Sequence, residues 1–289
     1  MMHIQWYPGH MTKAMRMMQE EVKQVDCVIY VLDSRAVLSC INEKFNEMIG
    51  DKPILYVINK ADLVEKSELK KWQGYFFAQK KDCIITNSLG GKEKKIILAK
   101  LKVLCKAIIA RYAAKGAKKT IRVMVLGVPN TGKSTLINSL CGNKRAMTGN
   151  KAGVTRGKQW VVLEDGIELL DTPGTLPPAF QNQQKAKYLA FVGSLKDEIL
   201  HLDELAGEMI NYNRQFNSAN FVARYKMESF FDDNLGVFDF IAKARGYFLG
   251  ANGYDYERVA RAIIDDFRKQ KFGKLMLDKV GDKEYDDKA

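Results

Sequence analysis

The sequence predicts an α/β fold: a doubly wound, mostly parallel sheet with helices on both faces, followed by a smaller all-helical domain. Three observations carry that expectation. Short, nearly continuous apolar runs alternate with helical stretches through the first two-thirds of the chain, as strands buried on both faces of a parallel sheet would. A glycine-rich motif of phosphate-binding spacing lies between one such run and a helical stretch. After Pro177-Pro178 the β-branched runs stop and helical periodicity takes over.

The runs at 27–32, 54–58, 83–86, 121–126, 160–163 and 168–170 read as strands, and 66–80, 93–114 and 134–140 as helices. The change of texture divides the 289 residues into a sheet domain, 1–178, and a helical domain, 179–289, in keeping with roughly 150 residues per domain. No internal repeat is visible, and the mixed-charge stretch 278–289 reads as a frayed tail.

Composition narrows the class. At 46% hydrophobic and 28% charged the chain builds a core. No run of about 18 apolar residues occurs, so no membrane-spanning helix is expected. The first 21 residues lack the order of a signal peptide and contain Glu20 and Glu21, which a transit segment avoids. Five widely spaced cysteines without a C-x-x-C pair argue against disulfides or zinc and for a reducing compartment, so a cytoplasmic location is expected. The net charge of +12 is uneven: residues 1–120 carry 22 Lys and Arg against 12 Asp and Glu, and 92–119 carries ten bases against one acid, Glu93. Such a field suits a polyanion, and it equally suits a solvated lysine-rich helix face.

The motif Gly127-Val-Pro-Asn-Thr-Gly132-Lys133-Ser134 has the phosphate-loop spacing, directly after a strand and opening a helix. Its backbone N–H groups would wrap the phosphates, Lys133 would reach the β- and γ-phosphates, and Ser134 would ligate Mg²⁺. Asn130, Thr131, Gly132, Lys133, Ser134 and Thr135 are therefore the candidate phosphate-binding residues. Asp171-Thr172-Pro173-Gly174 follows a strand, so that Asp171 can hold Mg²⁺ through water and the Gly174 N–H can sense the γ-phosphate. Thr155, between the two motifs, is the natural second hydroxyl for the ion.

Base identity is read from Asn59-Lys60-Ala61-Asp62 after an apolar strand. The Asp62 carboxylate can accept both the ring N–H and the exocyclic amine of guanine, a pattern adenine does not offer. Asn59 would tie the phosphate loop to the base site, and the Lys60 stem would cover the ring. Asn87 and Ser88, after the strand at 83–86, can present a backbone N–H to the guanine carbonyl. These base-reading segments precede the phosphate loop, the reverse of the order in most GTPases, so the sheet is circularly permuted and 92–119 becomes the connection joining the old ends. Asp171–Gly174 then leads straight into the helical domain, where loss of the γ-phosphate could be felt directly.

Together these residues resemble the ribosome biogenesis GTPase A family, the circularly permuted bacterial GTPases also called YlqF. The likeness covers nearly the whole chain. It rests on Ile4-Gln5-Trp6-Tyr7-Pro8-Gly9-His10-Met11, Asp33-Ser34-Arg35, Asn59 to Asp62, Gly127 to Ser134, Thr155, Gln159-Trp160 and Asp171 to Gly174. In the helical part it rests on Ala244-Arg245-Gly246 and on Asp255 to Arg258 through Phe272-Gly273-Lys274. Ala152 and Val37 stand where the family usually has proline.

The resemblance implies a GTP phosphohydrolase, Mg²⁺-dependent, that acts in late maturation of the large ribosomal subunit, with ribosomal RNA and proteins as partners and no role for membrane or DNA. Thr175 and Leu176 follow Asp171 to Gly174, and neither orients a water as a glutamine there would. His10 is the family's proposed catalytic residue; by sequence alone a lone histidine is more often structural. Asn130 would accompany a K⁺ ion, or simply hold its turn. Arg258, Arg261, Arg268, Lys269, Lys271 and Lys274 offer phosphate contacts or a solvated helix face. The alternative to an enzyme is a nucleotide-dependent binding switch on another RNA partner, with hydrolysis only as its reset.

Overall fold

Seven consecutive residues of β1 (Cys27–Asp33) are buried, as a strand with helices on both faces requires. The computed structural model describes residues 4, 9–88, 93–142, 159–163, 166–176, 180, 182–250 and 253–282. Six strands form one sheet in the order β3-β2-β1-β4-β6-β5: β2 is Ile54–Asn59, β3 Asp82–Ile85, β4 Ile121–Leu126, β5 Gln159–Val162 and β6 Ile167–Asp171. All neighbours run parallel except β5, which lies antiparallel on β6 at one edge. The sheet is therefore doubly wound and mostly parallel, and its carboxyl ends open on one side.

Alternation along the strands sorts the core into two layers. Ile29 and Val31 face the aliphatic side with Leu55, Val57, Val123 and Val125, covered by Ile97, Leu98 and Leu101 of α4 (Lys94–Leu104) and by Leu136, Ile137 and Leu140 of α6 (Lys133–Cys141). Tyr30 and Tyr56 face the other side in an aromatic layer with Phe45 of α2 (Glu43–Ile49) and Phe76 of α3 (Lys66–Ala78), at ring separations of 4.8–5.8 Å. The helix expected over 93–114 is two, α4 and α5 (Lys106–Ala113), because Cys105 between them leaves helical geometry at ψ 11°. Helix α1 (Gly9–Glu21) precedes the first strand, a helix that the sequence pattern did not distinguish from loop.

The chain divides into two compact units. The sheet unit takes in Gln5–Gln181 and also Met276–Ala289, and the helical unit Asn182–Leu275 with Met1–Ile4. Met276, Leu277 and Asp278 are buried in the sheet unit, so the tail expected to fray from 278 is held at its first residue, where Asp278 finds hydrogen-bond donors on Ser39.

In the helical unit, α7 (Gln183–Phe191), α8 (Leu202–Phe216), α9 (Ser218–Tyr225), α10 (Asn234–Arg245) and α11 (Tyr256–Arg268) follow in turn. Asn182, Asp233 and Asp255 cap α7, α10 and α11 with side-chain oxygens. Phe221, Tyr225 and Phe272 form an aromatic cluster with centroids 4.9–5.9 Å apart. Beside it the Asp266 carboxylate accepts from Arg224 (2.8 and 3.0 Å), Arg245 (2.8 Å) and the Tyr225 hydroxyl (3.1 Å). Among the described residues no helix is long and apolar enough to cross a membrane.

Burial works to raise the Asp266 carboxyl, but bonding to Arg224 and Arg245 outweighs it and holds the group below its ordinary 3.8. The native state then binds fewer protons than the unfolded chain. The stabilisation is complete above about pH 4 and is lost as pH falls through the lowered native value. Asp266→Ala should destabilise the helical unit by about 3 kcal/mol at neutral pH, the lower end for a broken buried pair because both arginines reach solvent. Thermal unfolding followed from pH 7 down to pH 3 should show a steeper acid loss in the wild type than in Asp266→Asn.

Candidate functional site

The phosphate-loop residues Gly127 to Gly132 join the end of β4 to the start of α6. Gly132 sits at φ +92°, and a β-carbon there would collide with the Asn59 amide nitrogen, so glycine is required by both backbone and neighbour. Asn130 turns through φ +62° at the exposed tip. Thr131 donates its hydroxyl to Val128 O at 3.1 Å, and Lys133 donates its ammonium to the same carbonyl at 3.0 Å. Ser134 and Thr135 stand half-buried in the first turn of α6.

Asn59 closes β2 and braces this loop. Its amide nitrogen donates to Thr131 O at 2.9 Å, while its oxygen accepts from Ser88 N at 3.1 Å and Ser88 Oγ at 2.7 Å. The adjacent Lys60, left-handed at φ +59°, extends its ammonium to Asn130 O at 2.5 Å and to Asp33 at 2.8 Å. Ala61 N bonds Thr86 O at 3.1 Å, so the segments from β2 and β3 lie side by side, with Asp62 exposed and Asn87 half-buried. Asp171 closes β6 beside Val125, and the Thr172 hydroxyl donates to Val125 O at 2.5 Å. A β-carbon on Gly174 would lie 2.8 Å from the Lys133 ammonium and 2.9 Å from Pro129 Cα, so the Asp-x-x-Gly turn closes directly over the phosphate loop.

The structure thus gathers Asn59, Lys60, Ser88, Asn130 to Lys133, Asp171 and Gly174 at the carboxyl ends of β2, β3, β4 and β6, where open α/β sheets bind ligands. Thr155 lies outside the described residues, and so does the side chain of His10, whose backbone opens α1. Sequence reasoning used Asp33 and Arg35 only as carriers of the family likeness and gave them no role at the site. Their signal was present: an acid at the end of a buried strand with a base two residues later. Arg35 forks onto Asp33 at 2.8 and 2.9 Å and, with Lys60, encloses its carboxylate. Burial works to raise Asp33, yet Arg35 and Lys60 hold it well below the usual carboxylate range.

Two other groups are pushed toward neutrality. Burial lowers the Lys133 ammonium to about 8, with Asp171 opposing, and raises the Asp171 carboxyl, with Lys133 opposing. Asp171 Oδ1 is buried without a hydrogen-bond partner. That atom, the half-buried Ser134 hydroxyl and Lys133 form a donor set of the kind a Mg²⁺-bound polyphosphate requires.

In the helical unit the basic residues divide. Arg268 is committed inward, to Ala190 O, Phe191 O and Asp197, and does not serve as a phosphate contact. Arg261 and Lys269 pair with Glu257 and Asp265, Arg258 lies 4.2 Å over the Tyr247 ring, and Lys271 and Lys274 are exposed.

A phosphate cradle and an Asn-Lys-x-Asp turn, joined through one amide at the same edge of a parallel sheet, define the class as a P-loop GTPase. A family model described as a 50S ribosome-binding GTPase matches residues 122–226. The chain is 38% identical over 278 residues to ribosome biogenesis GTPase A of Bacillus cereus, covering 96% of this chain and 94% of that protein. It is 30% identical to its namesake from Thermotoga maritima (96% and 95%), and 32% identical to mitochondrial ribosome-associated GTPase 1 of mouse (95% and 90%). The structure matches the GNP-bound and GDP-bound forms of YlqF from T. maritima, with TM-scores of 0.64 and 0.65, 28% identity, 92% of this chain and 98% and 100% of those chains. The chain belongs to the ribosome biogenesis GTPase A family and is a GTP-binding GTPase of ribosome assembly.

Asn59→Ala removes all three bonds of the brace and strands the Ser88 hydroxyl and Thr131 carbonyl. At about 0.5–1.5 kcal/mol per bond, the three together come to about 1.5–4.5 kcal/mol, so GDP affinity should fall at least about tenfold, measured by titration with a fluorescent GDP analogue.

Proposed function

We propose that this GTPase hydrolyses GTP while bound to the precursor of the large ribosomal subunit, in contact with its RNA and proteins, in the cytoplasm. The supporting observation is that the likeness to the named relatives runs through both compact units, so that the helical unit is matched along with the nucleotide site. In this reading 1–178 is the catalytic domain and 179–289 the docking domain, except that the segment from Met276 onward packs within the sheet unit and goes with the catalytic part. Asp62 and Asn87 hold the base, the Lys60 stem covers it, and Asn59 with Ser88 braces the pocket against the phosphate loop. Asn130 to Thr135 and Gly174 hold the phosphates, with Lys133 on the bridging charge.

Ser134, Thr155 and Asp171 would hold Mg²⁺, which when bound neutralises charge on the β- and γ-phosphates. The partnerless Asp171 oxygen supports that assignment. Asn130 carries the loop's exposed amide and would serve a K⁺ ion beside the phosphates. Thr175 and Leu176 are both buried, so no side chain directly after Gly174 can orient the attacking water, and His10 takes that role. The free protein is then slow, and its partner completes the site.

Steady-state GTP hydrolysis with purified large subunits, with small subunits and ATP as controls, tests the reading. Stimulation by large subunits alone is expected; a rate unchanged by large subunits would overturn it. His10→Ala should abolish the stimulated rate at unchanged GDP affinity, and KCl should support a faster rate than NaCl. A His10→Ala protein that still docks and releases with nucleotide would favour the switch.

Docking on RNA also assigns a use to the connection 92–119. Among the described residues Lys95, Lys106, Lys115 and Lys118 form no ion pair, and all are exposed. Lys95→Glu, Lys106→Glu and Lys115→Glu together should weaken binding to large subunits at least tenfold and flatten its salt dependence, since each lost phosphate contact reduces the slope by about 0.7–0.9. Hydrolysis without subunits should be unchanged.

A further inference from the structure

The segment that leaves the helical unit returns to the sheet unit against the loop that follows β1. Leu277 N donates to Arg35 O at 2.7 Å, and Asp278 accepts from Ser39 N at 2.8 Å and Ser39 Oγ at 3.0 Å. Met276 accepts from the indole N–H of Trp72, itself wholly buried in α3, at 3.1 Å. Asp278 is 0% exposed. Met276 and Leu277 are buried apolar contacts of this segment, and burying the Asp278 carboxylate beside them adds a desolvation cost that hydrogen bonds must offset. What the carboxylate adds is direction: its two oxygens fix Ser39 in one place.

The same loop grips the nucleotide site from its other side. Ser34 Oγ donates to Lys60 O at 2.7 Å, and Asp33, two residues before Arg35, accepts from the Lys60 ammonium, which in turn reaches Asn130 O. A continuous set of directional bonds therefore runs from Asp278 through the loop at 33–39 to Lys60 and the tip of the phosphate loop. We propose that Asp278 is a positioning residue for nucleotide binding: by holding this loop in register it sets the Lys60 side chain between Asp33 and Asn130, so that a residue 145 positions beyond Lys133 is part of the nucleotide site. This inference rests on the reading that Lys60 and the phosphate loop bind the nucleotide.

The test is a double-mutant cycle on the full-length chain, with affinity for a fluorescent GDP analogue as readout, well below each variant's unfolding temperature. Asp278→Asn keeps the shape but replaces one acceptor with a donor that faces a donor. It should weaken binding about five- to tenfold, about the effect of one lost bond, and Ser39→Ala should weaken it by a similar or smaller factor. The decisive comparison is with Lys60→Ala: the combined variant should bind no more weakly than Lys60→Ala alone, because Asp278 acts through Lys60. Independent, multiplying losses would overturn the proposal, as would wild-type affinity in Asp278→Asn when Lys60→Ala binds weakly. Wild-type affinity in Lys60→Ala would remove the site reading itself and this role with it. Should Asp278→Asn fold poorly, the Ser39→Ala and Lys60→Ala cycle decides by the same rule.

Discussion

The amide of Asn59 is the interaction on which the site depends. Its nitrogen and its oxygen are used in opposite directions, toward a loop 72 residues later in the chain and a turn 29 residues later. An amide committed at both ends has one allowed orientation, and it transmits that constraint to whatever it joins. Here it sets the distance between the phosphate loop and the turn that carries Ser88. Its closeness to Gly132 is the second half of the same constraint: the loop approaches β2 so tightly that no side chain fits between them. Asn59 can do this because β2 and β3 run in parallel register, which brings their carboxyl ends to the same level.

Around that brace the charges are arranged unevenly. Asp33 is buried, but Arg35 and Lys60 surround it, and the trio is electrostatically closed. Lys133 and Asp171 are buried too, yet neither forms an ion pair with the other; burial drives one ammonium down and one carboxyl up. The first group is a structural clamp that is complete without a ligand. The second is left with charge disfavoured on both members, which a polyphosphate beside Lys133 and a cation beside Asp171 would each relieve. Polar satisfaction is thus complete around Asp33 and incomplete at Lys133 and Asp171.

Much of this was legible from sequence because it depends on local pattern. A buried strand is a continuous apolar run, and a phosphate loop must have glycine and lysine at set spacings, so 121–134 could be read without coordinates. Asp33 and Arg35 were harder. A single acid-base pair after a strand has no fixed spacing to a partner, and its meaning comes from Lys60, which only the pairing of β1 with β2 brings alongside. Asp278 was hidden for a further reason: in composition it belongs to a charged tail, and nothing local reveals that its carboxylate is buried against Ser39. Arg268 shows the converse, a base in a basic stretch whose guanidinium is wholly engaged with backbone carbonyls and Asp197.

The permutation explains why such a connection as 92–119 exists and why it tolerates so many bases. From β3 at the sheet edge the chain must pass over β2 and β1 to enter β4, about 14 Å at three strand spacings, and a parallel crossover of that kind needs a helix. Ile97, Leu98 and Leu101 meet that need by closing the aliphatic layer. Leu104 and Ile109 add to that packing, whereas Lys95, Lys102, Lys106 and Arg111 lie on exposed faces of α4 and α5, where charge costs the core nothing. The arrangement is indifferent to the order in which its strands are visited, because it needs only carboxyl ends lying at one level and Asn59 joining them. Permuting the chain therefore preserves the nucleotide chemistry while creating, in the crossover, an exposed surface that selection can load with charge.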